Sequence, residues 1–189
     1  NEINRMVIVG ELIKRAMKGE LDLLTPAKEV AKELMGIPDF GAVTTDYYES
    51  KKKLIVNFKK AILMVAGAAI QKFGPDLEKH QQLLLAAANI LNEVYMAEST
   101  LLRAEKNTKR FGEAAQEGQI AMARLYLYNA VDIVIKNGRE GIVSFSEGDE
   151  QRMLLMGLKR FTKYANYPNV IELRNLIAEK LKAENRYCF

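Results

Sequence analysis

The chain has 189 residues, a net charge of +4 and one cysteine, and 49% of its residues are hydrophobic while 28% are charged. This balance is typical of a globular protein, and we expect no nucleic-acid partner, because such recognition needs clustered Lys and Arg. The single cysteine, Cys188, excludes an internal disulfide and favours a reducing compartment, so we expect a cytoplasmic protein.

Apolar residues recur with helical periodicity along nearly the whole chain, and no alternating strand pattern competes with them. Helices are predicted, in chain order, over residues 2–18, 26–35, 46–73, 76–109, 113–136, 147–165 and 170–184. Short connections after residue 46 make neighbouring helices antiparallel. The pattern therefore predicts an all-α fold, an up-and-down bundle of about four long helices preceded by a separate N-terminal helix.

Local signals set several of the predicted helix ends. Three positions resemble N-caps, namely Thr25 before Pro26, Ser144 with Glu147, and Asn169 with Glu172. The pair Asn137-Gly138 is predicted to end the fifth helix, because Gly is frequent just past a helix end. Residues 37–45 are predicted to form a loop, since Pro38 and Gly41 interrupt the periodic pattern there.

The longest apolar run covers residues 61–70, with lysines on both sides. Its ten residues are fewer than the roughly 20 that a membrane-spanning helix needs. A segment that is apolar all round instead favours a helix in the middle of the bundle. The small residues around Gly67 are expected to let another helix approach closely.

The sequence contains few residue patterns that indicate a catalytic or metal site. A di-iron bundle needs Glu-x-x-His on two helices, and the chain has one histidine, His80, predicted to lie at the surface. A nucleophilic pair would require Cys188 to meet His80 together with a third, orienting group. Phosphate-binding glycine motifs are absent from the sequence. We therefore predict no catalytic residue and no metal ligand within this chain.

Glu98 falls where a stripe of apolar residues on the fourth helix continues. A buried carboxylate needs a partner, and the candidates are Arg103, Arg110 and Arg124. The alternatives are a structural ion pair or a boundary residue that reaches solvent. A lone carboxylate without a second titrating group indicates no mechanism.

The lysines at 51–53, with Lys59 and Lys60, form the densest basic cluster. Such a run is typical of a solvated helix face. The alternative is a weak patch for anionic lipid or for an acidic partner.

The opening residues carry a family resemblance. The segment Asn1-Glu2-Ile3-Asn4-Arg5 resembles the end of the Glu-Gly-Thr-x-x-Ile-x-Arg motif of FAD-dependent acyl-CoA dehydrogenases. Ile3 and Arg5 match the motif, Asn1 and Glu2 fill its variable positions, and an apolar helix follows as it does in the family. The remainder resembles, in length and helix layout, the helical domain appended to very-long-chain-type members.

The resemblance implies that residues 1–40 are the remnant of the dehydrogenase C-terminal helical domain plus a linker, and that 41–189 form the appended bundle domain. It implies a parent enzyme of fatty acid beta-oxidation that oxidises acyl-CoA to 2-enoyl-CoA with FAD. The catalytic Glu would lie three residues before Asn1. Asn1 and Glu2 would then lie near the cofactor, and this part alone would hold no FAD and have no activity.

The implied partners are the upstream dehydrogenase domains and a second copy, as a homodimer. The bundle would serve dimerisation, docking, or association with a protein or with the inner face of a membrane. The competing interpretation is a free-standing helical adaptor or membrane-surface binding module.

Overall fold

A computed structural model describes residues 1–36, 45–186 and 188, and over these residues the chain is helical without a strand. Its helices are α1 (Glu2–Met17), α2 (Leu24–Met35), α3 (Tyr47–Phe73), α4 (Gln81–Phe111), α5 (Glu117–Phe145), α6 (Gly148–Phe161) and α7 (Val170–Glu184). Short 3-10 segments, Gly74–Lys79 and Ala114–Gln116, lead into α4 and α5. The predicted all-α class is confirmed.

The three longest helices, α3, α4 and α5, form the body of the bundle and run antiparallel. Between α3 and α4, Lys52 pairs with Glu105 and Lys59 pairs with Glu98. Residue numbers therefore rise along one helix as they fall along the other, so the two helices are antiparallel. The same reversal links α4 with α5, through Asn89 with Asn137 and Asn107 with Gln119. This arrangement confirms the predicted up-and-down topology. On the outside, α1 packs against α4, and α7 packs against α5.

The α3 helix supplies the centre of the core. Phe58, Ala61 and Val65 are almost completely buried among side chains from the neighbouring helices. Among the described residues one stretch, Tyr47–Lys79, is long and apolar enough to cross a membrane by length and composition alone. Burial of its apolar side chains in the bundle accounts for that composition, as the sequence predicted.

The α2 helix lies against α3 and reaches α6, where small residues let it come close. A Cβ built on Gly67 of α3 would lie 3.2 Å from the Ala27 Cβ, which confirms the predicted close approach. A Cβ on Gly157 of α6 would lie only 2.6 Å from Leu34 Cδ2. Two ion pairs close this contact, those of Glu33 with Lys60 and with Arg160.

The predicted end of the fifth helix at Asn137-Gly138 is wrong, because α5 continues to Phe145. Asn137 is buried and accepts a hydrogen bond from the Asn89 amide at 2.8 Å. A Cβ on Gly138 would come within 2.7 Å of Leu158 Cδ1. Asn137 and Gly138 therefore form a packing site beneath α6. Gly138 is needed there because it leaves room for Leu158, although an Asn-Gly pair otherwise indicates a helix end.

Two of the three predicted caps are also wrong. The α2 helix begins at Leu24, one residue before Thr25, whose backbone N–H donates instead to the Asp22 carboxylate at 3.0 Å. Ser144 lies inside α5. The third prediction is confirmed, since the Asn169 side chain accepts from the Glu172 backbone N–H.

Three further ends differ from prediction, since α4 begins at Gln81 and α5 at Glu117, each after a 3-10 segment, and α6 ends at Phe161. Most of the predicted loop at 37–45 lies outside the described residues. The predicted division of the chain into 1–40 and 41–189 falls in this region and stays a prediction.

Candidate functional site

The predicted flavin contacts, Asn1 and Glu2, lie together at the start of α1 with both residues exposed. Asn1 occupies the N-cap position, but its side chain makes no capping hydrogen bond. Arg5 of the motif lies one turn further along and is half-buried. The amide of Asn1 and the carboxylate of Glu2 can therefore reach a ligand at this open helix end. Their contact with FAD stays a prediction.

The α1 helix is apolar on two sides. On one side Val9 is buried, and Met6 and Ile13 pack against the core. On the other side Ile3 is 79% exposed and Val7 is 61% exposed. A helix with two apolar sides is built to contact two partners. The described part of the chain supplies one of them, which is α4.

Glu98 lies at the boundary of the bundle, where its carboxylate accepts a hydrogen bond from Lys59 Nζ at 2.6 Å. Its side chain is 41% exposed, so the pair is partly solvated and contributes little to stability. The expectation of an arginine partner is wrong, because Glu98 faces α3, whereas Arg103 and Arg110 are exposed and Arg124 lies on Tyr47. We assign Glu98 no reaction.

The basic run on α3 is only in part the solvated face that its composition predicts, since Lys53 is exposed but Lys51 is buried. Lys52 pairs with Glu105 of α4 at 2.9 Å, and Lys60 pairs with Glu33 of α2 at 2.7 Å. Because α3 lies at the centre of the bundle, Lys52, Lys59 and Lys60 reach carboxylates of neighbouring helices, in pairs that are partly solvated.

A cavity of about 360 Å³ opens at the start of α4. It is lined by Lys79, His80, Gln81, Gln82, Leu83 and Ser144. The His80 ring stacks on Phe73, with centroids 3.7 Å apart, and the Ser144 hydroxyl donates to the Gly141 carbonyl. Because the His80 ring and the Ser144 hydroxyl are engaged with other groups, we do not assign them as a base and a nucleophile. Within the described ranges, no group of three or more His, Cys, Asp or Glu side chains is placed to hold a metal.

Lys51 is the centre of a cluster of cations and aromatic rings. The residue is 3% exposed, and its ammonium donates to the Ala165 carbonyl at 2.8 Å. The same nitrogen lies 3.6 Å from the centroid of the Tyr164 ring. The Tyr47 ring contacts both Lys51, at 5.8 Å, and the Arg124 guanidinium, at 4.8 Å. Aromatic faces thus take the place that carboxylates usually occupy beside buried cations.

The protonation of Lys51 should make stability depend on pH. Burial, aided by the charge of Arg124, lowers the pKa of Lys51 from 10.5 to about 8. Between these values the unfolded chain binds more protons than the folded chain, so the free energy of unfolding should rise with pH. Above about pH 10 the trend should reverse, because burial raises the pKa of Tyr164 to about 12 and only unfolded tyrosine then ionises.

Urea unfolding of the wild type and of Lys51→Met, between pH 7.5 and 10, tests this expectation. The substitution should flatten the rise, whereas Lys136→Met, at an exposed position of α5, should leave it unchanged. A wild-type stability that falls steadily over this range would contradict the assignment.

The comparison with known proteins decides the family. Residues 57–160 match the family model described as acyl-CoA dehydrogenase, C-terminal domain. The chain belongs to the acyl-CoA dehydrogenase family. It is 30% identical, over 191 residues, to "Probable acyl-CoA dehydrogenase" of Bacillus subtilis (strain 168). The aligned region covers 99% of this chain and 31% of the relative.

A solved structure gives the same result. The chain superposes on the acyl-CoA dehydrogenase complexed with FAD from Bacillus anthracis with a TM-score of 0.92 and 34% identity, over 100% of this chain and 32% of that one. The chain thus spans about one third of the length of these two dehydrogenases. The resemblance seen in the first residues is confirmed at the level of the family.

Sequence reasoning missed the Lys51 cluster. Ala165, which accepts the hydrogen bond of Lys51, lies 114 residues further along the chain, and no local pattern joins such distant positions. The available signal was Tyr47, one helical turn before Lys51 on α3.

Proposed function

We propose that this chain is the C-terminal helical part of an FAD-dependent acyl-CoA dehydrogenase, which oxidises acyl-CoA to 2-enoyl-CoA. The similarity of the whole chain to the FAD-complexed Bacillus anthracis dehydrogenase carries this proposal. In the proposed reaction a carboxylate upstream of this chain removes the proton next to the thioester carbonyl. When bound, FAD would supply the acceptor for the hydride that leaves the adjacent carbon.

The residues at the start of α1 fit a contact with one edge of FAD. Asn1 and Glu2 are exposed there, and the Asn1 amide can both donate and accept hydrogen bonds. The first backbone N–H groups of α1 point the same way, as at any helix start. These groups would hold and orient one edge of the cofactor, and the other contacts would come from the upstream domains.

We propose that the upstream domains pack against the outer face of α1, which is formed by Ile3 and Val7. Two large apolar side chains exposed on successive turns favour burial against another polypeptide. The chain spans about a third of its relatives, which is consistent with a larger body covering this face. The proposed homodimer would then assemble through the whole enzyme.

This proposal predicts the behaviour of the chain alone. Mixed with FAD and acyl-CoA, the 189-residue chain should neither retain flavin after gel filtration nor reduce an electron-accepting dye. The same chain extended upstream to full length should retain flavin, and acyl-CoA should bleach its absorbance. Replacing the upstream motif Glu by Gln in that longer protein should keep the flavin and abolish bleaching. Turnover by the short chain would contradict the proposed division of labour.

A second proposed role is docking on an anionic membrane surface, from the cytoplasmic side, and the outer face of α4 favours it. We call the exposed side chains Tyr95, Met96, Leu102, Arg103 and Lys106 the α4 outer face. Tyr95 is 70% exposed and Leu102 is 48% exposed. The acidic side chains of α4 are already bonded inside the bundle, namely Glu93 to Tyr126, Glu98 to Lys59, and Glu105 to Lys52 and Lys109.

The α4 outer face is therefore apolar and cationic. Arg103 and Lys106 pair with no carboxylate among the described residues. Two copies meeting through this face would bring like charges together, so self-association there is disfavoured. A layer of anionic headgroups suits it better, since apolar side chains enter the layer while Lys and Arg remain at its surface.

Vesicle sedimentation tests the membrane role. The chain should bind vesicles containing phosphatidylglycerol, and binding should weaken in high salt and vanish with pure phosphatidylcholine. Arg103→Glu with Lys106→Glu should lower the bound fraction at least tenfold, because each basic residue contributes about 1 kcal/mol at an anionic surface. The matched control, Lys136→Glu with Arg139→Glu on α5, should bind as the wild type does. Equal losses in both double variants would show that net charge alone matters.

A further inference from the structure

The cluster at Lys51 has more positive charge than its surroundings balance. Lys51 and Arg124 both lie against the Tyr47 ring. Neither pairs with a carboxylate of the described residues. Of the three ammonium N–H groups of Lys51, one meets the Ala165 carbonyl and the Tyr164 ring can receive a second. Buried charges normally have a counter-charge, and the buried Lys51 ammonium has only the exposed Arg124, a second cation, beside it.

A buried hydroxyl in the same cluster also lacks a partner. The Tyr47 Oη is inaccessible to solvent, and within the described ranges no group meets the geometric limits of a hydrogen bond to it, although the Arg124 guanidinium lies beside it. A buried hydroxyl whose proton has no acceptor costs free energy, and an anion that reached it would offset this cost. Both cations contact the Tyr47 ring, so the Tyr47 hydroxyl lies close to them. The Arg124 side chain is exposed and connects the cluster to solvent.

We propose that Lys51, Arg124 and Tyr47 form a binding site for a phosphate-type oxyanion. Two cations match the charge of a phosphate dianion better than that of a carboxylate, and guanidinium and ammonium groups are the usual donors to phosphate. The Tyr47 hydroxyl provides a third, neutral donor. The anion would bridge α3, which carries Tyr47 and Lys51, and α5, which carries Arg124.

Thermal unfolding in the presence of inorganic phosphate tests the site. At constant ionic strength, phosphate should raise the Tm saturably, by about 5 to 10 °C once its concentration exceeds the Kd about 100-fold. Sodium acetate and sodium chloride should have little effect. The chain has eight tyrosines and no tryptophan, so tyrosine fluorescence gives an independent binding curve that does not require unfolding.

Three variants separate this site from general attraction of anions to a basic protein. Arg124→Gln and Tyr47→Phe should each weaken phosphate binding at least tenfold, and Lys51→Met should abolish it. The matched control, Arg103→Gln with Lys106→Gln on the α4 outer face, removes two exposed cations and should bind phosphate normally. Should Lys51→Met fail to fold, the other two variants still decide the result.

Tyr47→Phe gives the sharpest outcome. Without phosphate this variant should be at least as stable as the wild type, because it removes an unpartnered buried hydroxyl. With saturating phosphate the order should reverse. The proposal is overturned if the wild type shows no saturable response, if acetate acts as well as phosphate, or if Arg124→Gln and Tyr47→Phe bind phosphate as tightly as the wild type.

Discussion

Replacing Phe58 by alanine should lower the free energy of unfolding by about 3–5 kcal/mol. The Phe58 side chain is fully buried at the centre of α3. Its removal forfeits the transfer free energy of the ring and leaves a cavity that rigid helices on several sides cannot close. Because typical domains are stable by only about 5–15 kcal/mol, the variant should be close to unfolding at room temperature.

Urea unfolding followed by circular dichroism measures this loss, and Phe111→Ala is its control. Phe111 is the last residue of α4 and is 54% exposed, so its truncation should change stability by no more than about 0.5 kcal/mol. Comparable losses in the two variants would mean that the packing of α3 is not the main source of stability.

Gly157→Val should destabilise the chain by about 1–3 kcal/mol and loosen α2 first. A Cβ at this position already lies 2.6 Å from both Leu34 Cδ2 and Met64 Sδ. A valine adds two more methyl groups to that space. Leu34 belongs to α2, so the nearest available relief is for α2 to move away from α6, against its two ion pairs. Amide exchange of residues 24–35 should therefore accelerate more than that of α4.

Alanine substitutions at two helical glycines provide the comparison. Gly10 lies in α1 with nothing within 4 Å of a built Cβ, so Gly10→Ala should stabilise by about 1 kcal/mol through helix propensity. At Gly157 the same gain is offset by the close contact, and Gly157→Ala should change stability little. A stabilised Gly157→Ala would show that Leu34 and Met64 move aside freely.

Periodicity was sufficient to predict most of the fold. Each helix depends on a repeating apolar stripe, and a stripe is visible in a few turns of local sequence. The errors arose where one residue type serves two purposes. Asn137-Gly138 has the composition of a helix end, yet here it makes room for Leu158. Such a use depends on α6, which no local window contains.

The candidate sites were less predictable for the same reason. Five residues at the start of α1 were enough to indicate the family, because a motif is contiguous. The solvated face predicted for the α3 lysines is wrong for Lys51, because the partners of a charged side chain lie on other parts of the chain. Lys52 pairs with Glu105 of α4. Lys51 donates to the carbonyl of Ala165, which lies in the segment after α6. Charge assignments of this kind require the tertiary fold.

The amide pair between Asn89 and Asn137 helps to fix how α4 and α5 are aligned. Much of what these two helices bury against the bundle is alanine, including Ala88, Ala97 and Ala130. Alanine surfaces resemble one another at every turn, so hydrophobic contact alone would tolerate a shift of one helix along the other. A shift by one turn would leave the buried Asn137 side-chain oxygen without its donor, at a cost of about 1–3 kcal/mol. Together with the pairs Asn107–Gln119 and Glu93–Tyr126, the amide pair favours a single register of α4 against α5, much as one buried Asn does in a coiled coil.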